Sequence, residues 1–286
     1  MATLTKTKTR FVSFKEASNQ TKEIVEKLQA EIISTKKSDK FQDYLKFLST
    51  QTAYSINNTL LIWVQGGNIV RGGKAWKKIN RDVIDWNKKI FIFAPKIKEV
   101  EKLNEYLQPI KDENGQIVKE SRLIGFQEIF VFDISNTKGD PLPVNPLKDT
   151  WELSETVKGQ KLWSKFLKAM DKKGIVIEFL KDGNTSLKGS TNGKKININE
   201  NLSDHDKFLT GIHEYTHYLN HFNDDRSTLT KEVKELQAES VSYVIAKKYG
   251  LKSNSIEYCA LYHKEHDLLD SFKVIVKTIK EINDFM

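Results

Sequence analysis

The stretch that decides the reading is Gly211-Ile212-His213-Glu214-Tyr215-Thr216-His217-Tyr218-Leu219-Asn220-His221. Residues four apart on an α-helix share a face, so His213 and His217 point the same way and can grip one metal ion. Glu214 lies between them, placed to take a proton from an attacking water. The surroundings favour a helix. Ser203 is a suitable N-cap, Asp204 and Asp206 fall in the first turn, and Phe208, Leu209, Ile212 and Leu219 form an apolar stripe.

Two imidazoles do not complete a zinc site, which needs a third protein ligand. Downstream, Glu235-Leu-Gln-Ala-Glu239 sets two carboxylates four apart on a second expected helix. That pattern fits one ligand plus one outer acceptor that orients a ligating His. Glu235 is read as the ligand and Glu239 as its outer partner. The reverse assignment stays open, and Glu232 is an outside candidate. Taken alone, these acids would read as a solvated face beside Lys231 and Lys234. His221 continues the run, but a helix carries it about 6 Å beyond His217 along the axis. An outer or surface role suits it better than ligation. Zn2+ is the expected cofactor, and Tyr215, Tyr218, Tyr243, Tyr258 and Tyr262 are candidates to stabilise an oxyanion.

Charge is uneven along the 286 residues. The net charge is +8; residues 1–150 hold 25 Lys/Arg against 18 Asp/Glu, residues 151–286 hold 21 against 20, and all six His fall after residue 200. The basic excess thus sits in one half and the metal chemistry in the other. Such an excess favours a polyanionic partner. Cys259 is the single cysteine, which excludes a disulfide framework and a thiolate zinc cluster. The polar, basic N-terminus lacks the apolar core of a signal peptide, and no run approaches membrane-spanning length. A cytoplasmic, soluble protein without a membrane partner is expected.

In chain order, residues 1–12 read as a flexible arm. Helical spacing of Ile24, Val25, Leu28, Ile32 and Ile33 marks a first helix. A second begins near Ser38, and a third runs from Tyr54 until Gly66-Gly67 stops it. The period then shortens through Ile69-Val70, Val83-Ile84 and Ile90–Phe93. Asn114-Gly115 is a hairpin signal, followed by a strand from Phe126 to Ile134. Residues 136–150 hold three of the five prolines and read as a linker. Beyond it come a helix to about Lys172, strands at 175–180 and 195–198, the two site helices and a last helix from Ser255. The expectation is an α+β protein. A 13–135 domain of helices and a small curled, mainly antiparallel sheet precedes a zincin-like 151–286 domain. Ile196–Asn199 is read as an edge strand that could hold a peptide by strand addition.

The basic half offers Arg71-Gly-Gly-Lys74-Ala-Trp76-Lys77-Lys78-Ile-Asn-Arg81, preceded by Tyr54, Asn57, Asn58, Trp63 and Gln65. Lys and Arg neutralise phosphates, aromatic faces stack on unpaired bases, and Asn and Gln bond base edges or phosphates. Tyr54, Asn57, Asn58, Gln65, Arg71, Lys74, Trp76, Lys77, Lys78 and Arg81 are therefore the candidate nucleic-acid contacts. The alternative is that Trp63, Trp76 and Trp86 are ordinary core and the lysines a solvated loop.

The order Tyr54-Ser-x-Asn57-x-x-Leu60-Leu61, Gln65, Trp76-Lys77-Lys78, Ile92-x-x-Ala-Pro95 and Val131-Phe132-Asp133-Ile134-Ser135-x-Thr137-x-Gly139 resembles the N-terminal domain of ArdC-type antirestriction proteins. His213-Glu-x-x-His217 and Glu235-x-x-Ala-Glu239 resemble the zincin-like metallopeptidase domain that follows it in that family. The resemblance runs from about residue 12 to 280. It implies a plasmid- or phage-borne protein in which a single-stranded-DNA-binding domain is fused to a metallopeptidase domain. Such a protein protects incoming DNA from restriction endonucleases. Asp82 and Asp85, two acids after the Trp-Lys-Lys element, depart from the basic or Gly-rich turn expected there. Two rivals remain: a DNA shield whose metal site is structural, and a cytoplasmic zinc protease whose N-terminal domain binds a protein.

Overall fold

The computed structural model describes residues 10–35, 39–51, 54–142, 155–181, 187–222, 229–253 and 268–286. The chain forms two compact units. One comprises residues 1–24 and 60–139, the other residues 25–59 and 140–286.

The first unit is built around one long ribbon. Strands β4 (Ile90–Glu101) and β5 (Lys119–Asp133) pair antiparallel from Ile90↔Val131 to Glu101↔Lys119, with a register shift between Lys96 and Ile97. Gly115 turns the connecting loop at φ +78°, while the Asp112 carboxylate accepts from the Asn114 and Gln116 amides. The expected hairpin is therefore present. β1 (Phe11–Val12) and β2 (Val70–Arg71) also pair with β5, which makes β5 the centre of a four-stranded sheet. β3 (Arg81–Val83) and β6 (Thr137–Gly139) form a separate pair. Val12, Ala17, Leu61 and Phe93 make a buried core against this sheet. A short helix, α4 (Gly73–Lys77), lies where the sequence suggested only a Gly-rich basic loop.

The second unit takes a segment from far upstream. Helix α1 (Phe14–Thr35) begins in the first unit's residues and ends in the second's, and α3 (Ile56–Val64) likewise spans the division. α2 (Asp39–Thr50) belongs wholly to the second unit. Its Phe41 ring stacks on Phe272 at 5.7 Å, and Tyr44 meets Phe272 edge-on at 5.0 Å. The packing thus groups residues differently from the expected 13–135 domain. The apolar face of α2 finds its cover on the C-terminal helices, which sequence order could not reveal. Residues 143–150 of the expected linker lie outside the described residues.

The C-terminal part supplies α5 (Glu155–Lys172), α6 (Asp204–Asn220), α7 (Lys231–Lys248) and α8 (Leu268–Phe285). Trp163, Phe166, Phe208, Tyr215 and Tyr249 pack through a chain of ring contacts that ties α5 to α6 and the end of α7. The sheet has the order β7-β9-β8, with β7 (Val176–Leu180) parallel to β9 (Lys195–Asn199) and β8 (Gly189–Thr191) antiparallel to it. Ile196–Asn199 is therefore the central strand and not an edge. Ile196 and Ile198 are fully buried, which an edge strand would not require. Overall the chain is α+β, with small, largely antiparallel sheets. No helix among the described residues is long and apolar enough to cross a membrane.

Candidate metal centre and basic surface

Helix α6 starts at Ser203, whose hydroxyl oxygen accepts from the Asp206 amide at 3.1 Å. Thr230 caps α7 in the same way on Val233. The two caps fix where each helix begins and hence which residues face each other. His213 Nε2 and His217 Nε2 lie 3.0 Å apart. Glu235 sets one carboxylate oxygen 3.4 Å from His213 Nε2 and the other 3.7 Å from His217 Nε2. A tetrahedral ion with bonds of 2.0–2.1 Å holds its ligand atoms about 3.3 Å apart. The triangle formed by His213, His217 and Glu235 is thus the right size and donor type for a small divalent cation. Glu239 sits on the other side of His213, 3.5 Å from Nδ1. Glu232 is exposed in the first turn of α7 and stands outside this cluster.

The electrostatics follow from proximity. His213 first, and His217 with it, hold the neighbouring Glu235 carboxyl well below the usual carboxylate range. At His213, burial acts to lower the pKa, but Glu235, Glu239 and Glu214 together outweigh it and leave the imidazole raised. Burial pushes the Glu214 carboxyl up, against the pull of His213 and His217. Glu214 is 8% exposed. It lies against β8: a Cβ on Gly189 would stand 3.0 Å from Glu214 Cγ and 2.6 Å from Thr210 Cγ2. Only a glycine lets that terminal strand run so close to the helix.

Among the expected oxyanion candidates, Tyr215 is fully buried with its hydroxyl donating to Glu281 at 2.8 Å, and Tyr243 is 2% exposed. Neither can reach a substrate, because both rings are enclosed by core. Tyr218 is half-buried, and Tyr258 and Tyr262 lie outside the described residues. His221 is buried and hydrogen-bonded to His217 Nδ1 at 2.7 Å, the outer position expected of it.

Residues 170–280 match the family model Peptidase_M78, described as the IrrE N-terminal-like domain. The matched span contains His213, Glu214, His217 and Glu235. No curated protein matches the chain. Two solved structures of the antirestriction protein ArdC from plasmid R388 are similar to it. The metal-free structure shares 18% identity over 92% of this chain and 93% of its own, with a TM-score of 0.47. The Mn(II)-bound structure shares 15% identity over 93% and 95%, with a TM-score of 0.46.

The expected nucleic-acid residues divide between the two units. Tyr54, Asn57 and Asn58 belong to the second, where Asn58 is buried and the other two are half-buried. In the first unit, the Gln65 amide is committed to backbone, accepting from Phe91 N–H and donating to the Phe91 and Leu61 carbonyls. Arg81 is likewise spent on Thr137 and Gly139. Arg71, Lys74, Lys77 and Lys78 are exposed.

Trp76 corrects the expectation. Its ring is 0% exposed and its indole N–H donates to the Phe132 carbonyl at 2.8 Å, so it has no face to offer a base. Arg71 and Arg81 cover it at 5.6 and 5.9 Å from the ring centre. An exposed aromatic in the same segment is Trp86, at 62%. Its ring rests edge-on against Phe132 at 4.9 Å and over Gly73, where a Cβ would stand 2.7 Å from the indole. The sequence offers Trp86 only as possible core, in a loop where Asp82 and Asp85 weaken the basic charge. Lys88 and Lys89, also exposed, were the available signal.

Proposed function

We propose that the chain is an antirestriction protein of the ArdC type, acting in the cytoplasm, in which a single-stranded-DNA-binding unit accompanies a zinc-dependent metallopeptidase domain. The observation that carries the catalytic half is the triangle of His213, His217 and Glu235 with Glu214 beside it. A zinc ion bound there would polarise an amide carbonyl as a Lewis acid. Glu214 takes a proton from the attacking water and returns it to the leaving amine, a role that a raised carboxyl pKa favours. A structural metal site has no use for that carboxylate. β8, the terminal strand next to Glu214, is suited to hold an extended protein substrate by strand addition.

On the first unit, Lys74, Lys77, Lys78, Lys88 and Lys89 supply phosphate neutralisation, and Trp86 supplies the stacking face. Together with the motif order noted in the sequence, these features support single-stranded DNA as the ligand.

Metal analysis tests the catalytic half. About one zinc per chain is expected, lost in His213→Ala with His217→Ala, whereas Glu214→Gln should retain zinc and lose peptidase activity. Full zinc in the double variant would refute the site. Activity surviving Glu214→Gln would show that Glu214 is not the base.

A further inference from the structure

The nitrogen that His217 presents to the site is selected from inside the core. His217 Nδ1 lies 2.7 Å from His221 Nδ1. His221 Nε2 lies 3.0 Å from Gln237 Oε1, and Gln237 Nε2 donates to Ser271 Oγ at 3.1 Å. His221, Gln237 and Ser271 are 5%, 1% and 1% exposed. The four side chains run from α6 through the end of that helix to α7 and α8, and beyond His217 the path is buried.

The directions of these bonds are constrained. A carboxamide oxygen only accepts, so the proton on His221 is at Nε2. In the neutral ring, Nδ1 of His221 is then a bare acceptor, and the proton shared between the two Nδ1 atoms belongs to His217. That leaves Nε2 of His217 without a proton, facing His213 Nε2 and Glu235. Reversing the Gln237 amide would reverse every step and put a proton on His217 Nε2, where ligation allows none. The geometry points to Ser271, Gln237 and His221 as a relay that fixes the tautomer of His217 for metal binding. This rests on the reading that His217 is a ligand.

The two imidazoles are thus oriented by different chemistry. His213 has a carboxylate, Glu239, at its outer nitrogen. His217 has a neutral chain of an imidazole, an amide and a hydroxyl. An outer partner of a metal-bound His holds the ring in place and sets which nitrogen carries the proton. Gln237 sits between Glu235 and Glu239 in sequence, so one helix supplies the proposed ligand, the outer carboxylate and the relay amide. His221 and Gln237 are positioning residues here, since each would act on the ion only through His217.

The test uses the full chain. Zinc affinity is measured by competition with a chromogenic chelator, and the His217 tautomer is read by two-bond 1H–15N NMR of the metal-free protein. Wild type should show His217 protonated at Nδ1. Gln237→Leu removes the acceptor and should lose about 10–100-fold in zinc affinity, with the His217 tautomer no longer held. Gln237→Glu keeps the acceptor and should retain affinity within a few fold of wild type. Ser271→Ala, a milder change, should give a smaller loss and guards against misfolding of the Leu variant. Gln237→Leu that melts earlier yet binds zinc as wild type, or a wild-type His217 protonated at Nε2, would overturn the relay. Wild-type protein that takes no zinc but shows Nδ1–H on His217 would sink the ligand reading and leave the relay standing.

Discussion

Replacing Trp76 and Trp86 by alanine, one at a time, should give opposite results. Trp76 is fully enclosed and its indole N–H serves the Phe132 carbonyl. Truncation removes a large buried ring and strands a carbonyl that β5 holds in place, at a cost of about 3–5 kcal/mol in stability. Trp86 is 62% exposed, so its truncation should cost under about 1 kcal/mol in stability. If its ring stacks on a base, the same change should weaken single-strand binding by about 1–3 kcal/mol, or about 5–150-fold. The assay is urea unfolding beside fluorescence-polarisation titration of labelled single-stranded and duplex DNA, on the full chain, at two salt concentrations. Stacking carries little charge, so Trp86→Ala should leave the salt dependence nearly unchanged. A folded Trp86→Ala protein that binds single strands as wild type would refute the stacking role. A Trp76→Ala protein as stable as wild type would refute the packing argument.

Other outcomes follow from the same geometry. Lys77→Ala and Lys78→Ala should each weaken all single-stranded sequences alike and lower the salt slope by about one unit or less, measured by the same titrations. Zinc affinity should fall by about one decade per pH unit below the raised pKa of His213, because that proton must leave before metal binds, whereas Glu235 is already ionised; chelator competition across pH 5 to 9 reads this. In metal-free protein the raised His213 pKa stabilises the fold fully below about pH 6.5, and this contribution disappears as pH rises through the folded value. Urea titrations in chelator at pH 5.5 and 8.5 should show it, and Glu235→Ala should remove most of it. Ser203→Ala should cost about 0.5–2 kcal/mol by uncapping α6, read from the same unfolding curves.

The candidate metal centre was legible because its information is local. Two His four apart, a Ser cap and acids in the first turn specify a helix and a face without reference to the rest of the chain. Glu235 and Glu239 repeat that spacing on α7, and the structure sets the first beside both Nε2 atoms and the second beside His213 Nδ1. The basic surface was less legible. Trp76 and Trp86 stand in similar company, and what separates them is a contact far along the chain: Phe132 accepts from one and supports the other. β8 was invisible for a different reason. Gly189-Ser190-Thr191 has no apolar alternation, and it becomes a strand through its pairing with Ile196–Ile198 of the central strand. The relay could not be read either, since Gln237 and Ser271 carry no pattern that marks them as partners of a His.

The stacking of Phe41 on Phe272 has a consequence for the order in which the protein is made. A ribosome releases α2 long before its partner α8. Throughout synthesis the apolar side of α2 must therefore wait, exposed or covered by something else, for residues more than two hundred positions downstream. Vectorial folding that finishes each domain before the next begins is closed to the second unit. Completing it requires segments more than two hundred positions apart, so a chain stalled before α8 leaves Phe41 and Tyr44 as adhesive surface for chaperones or proteases to find.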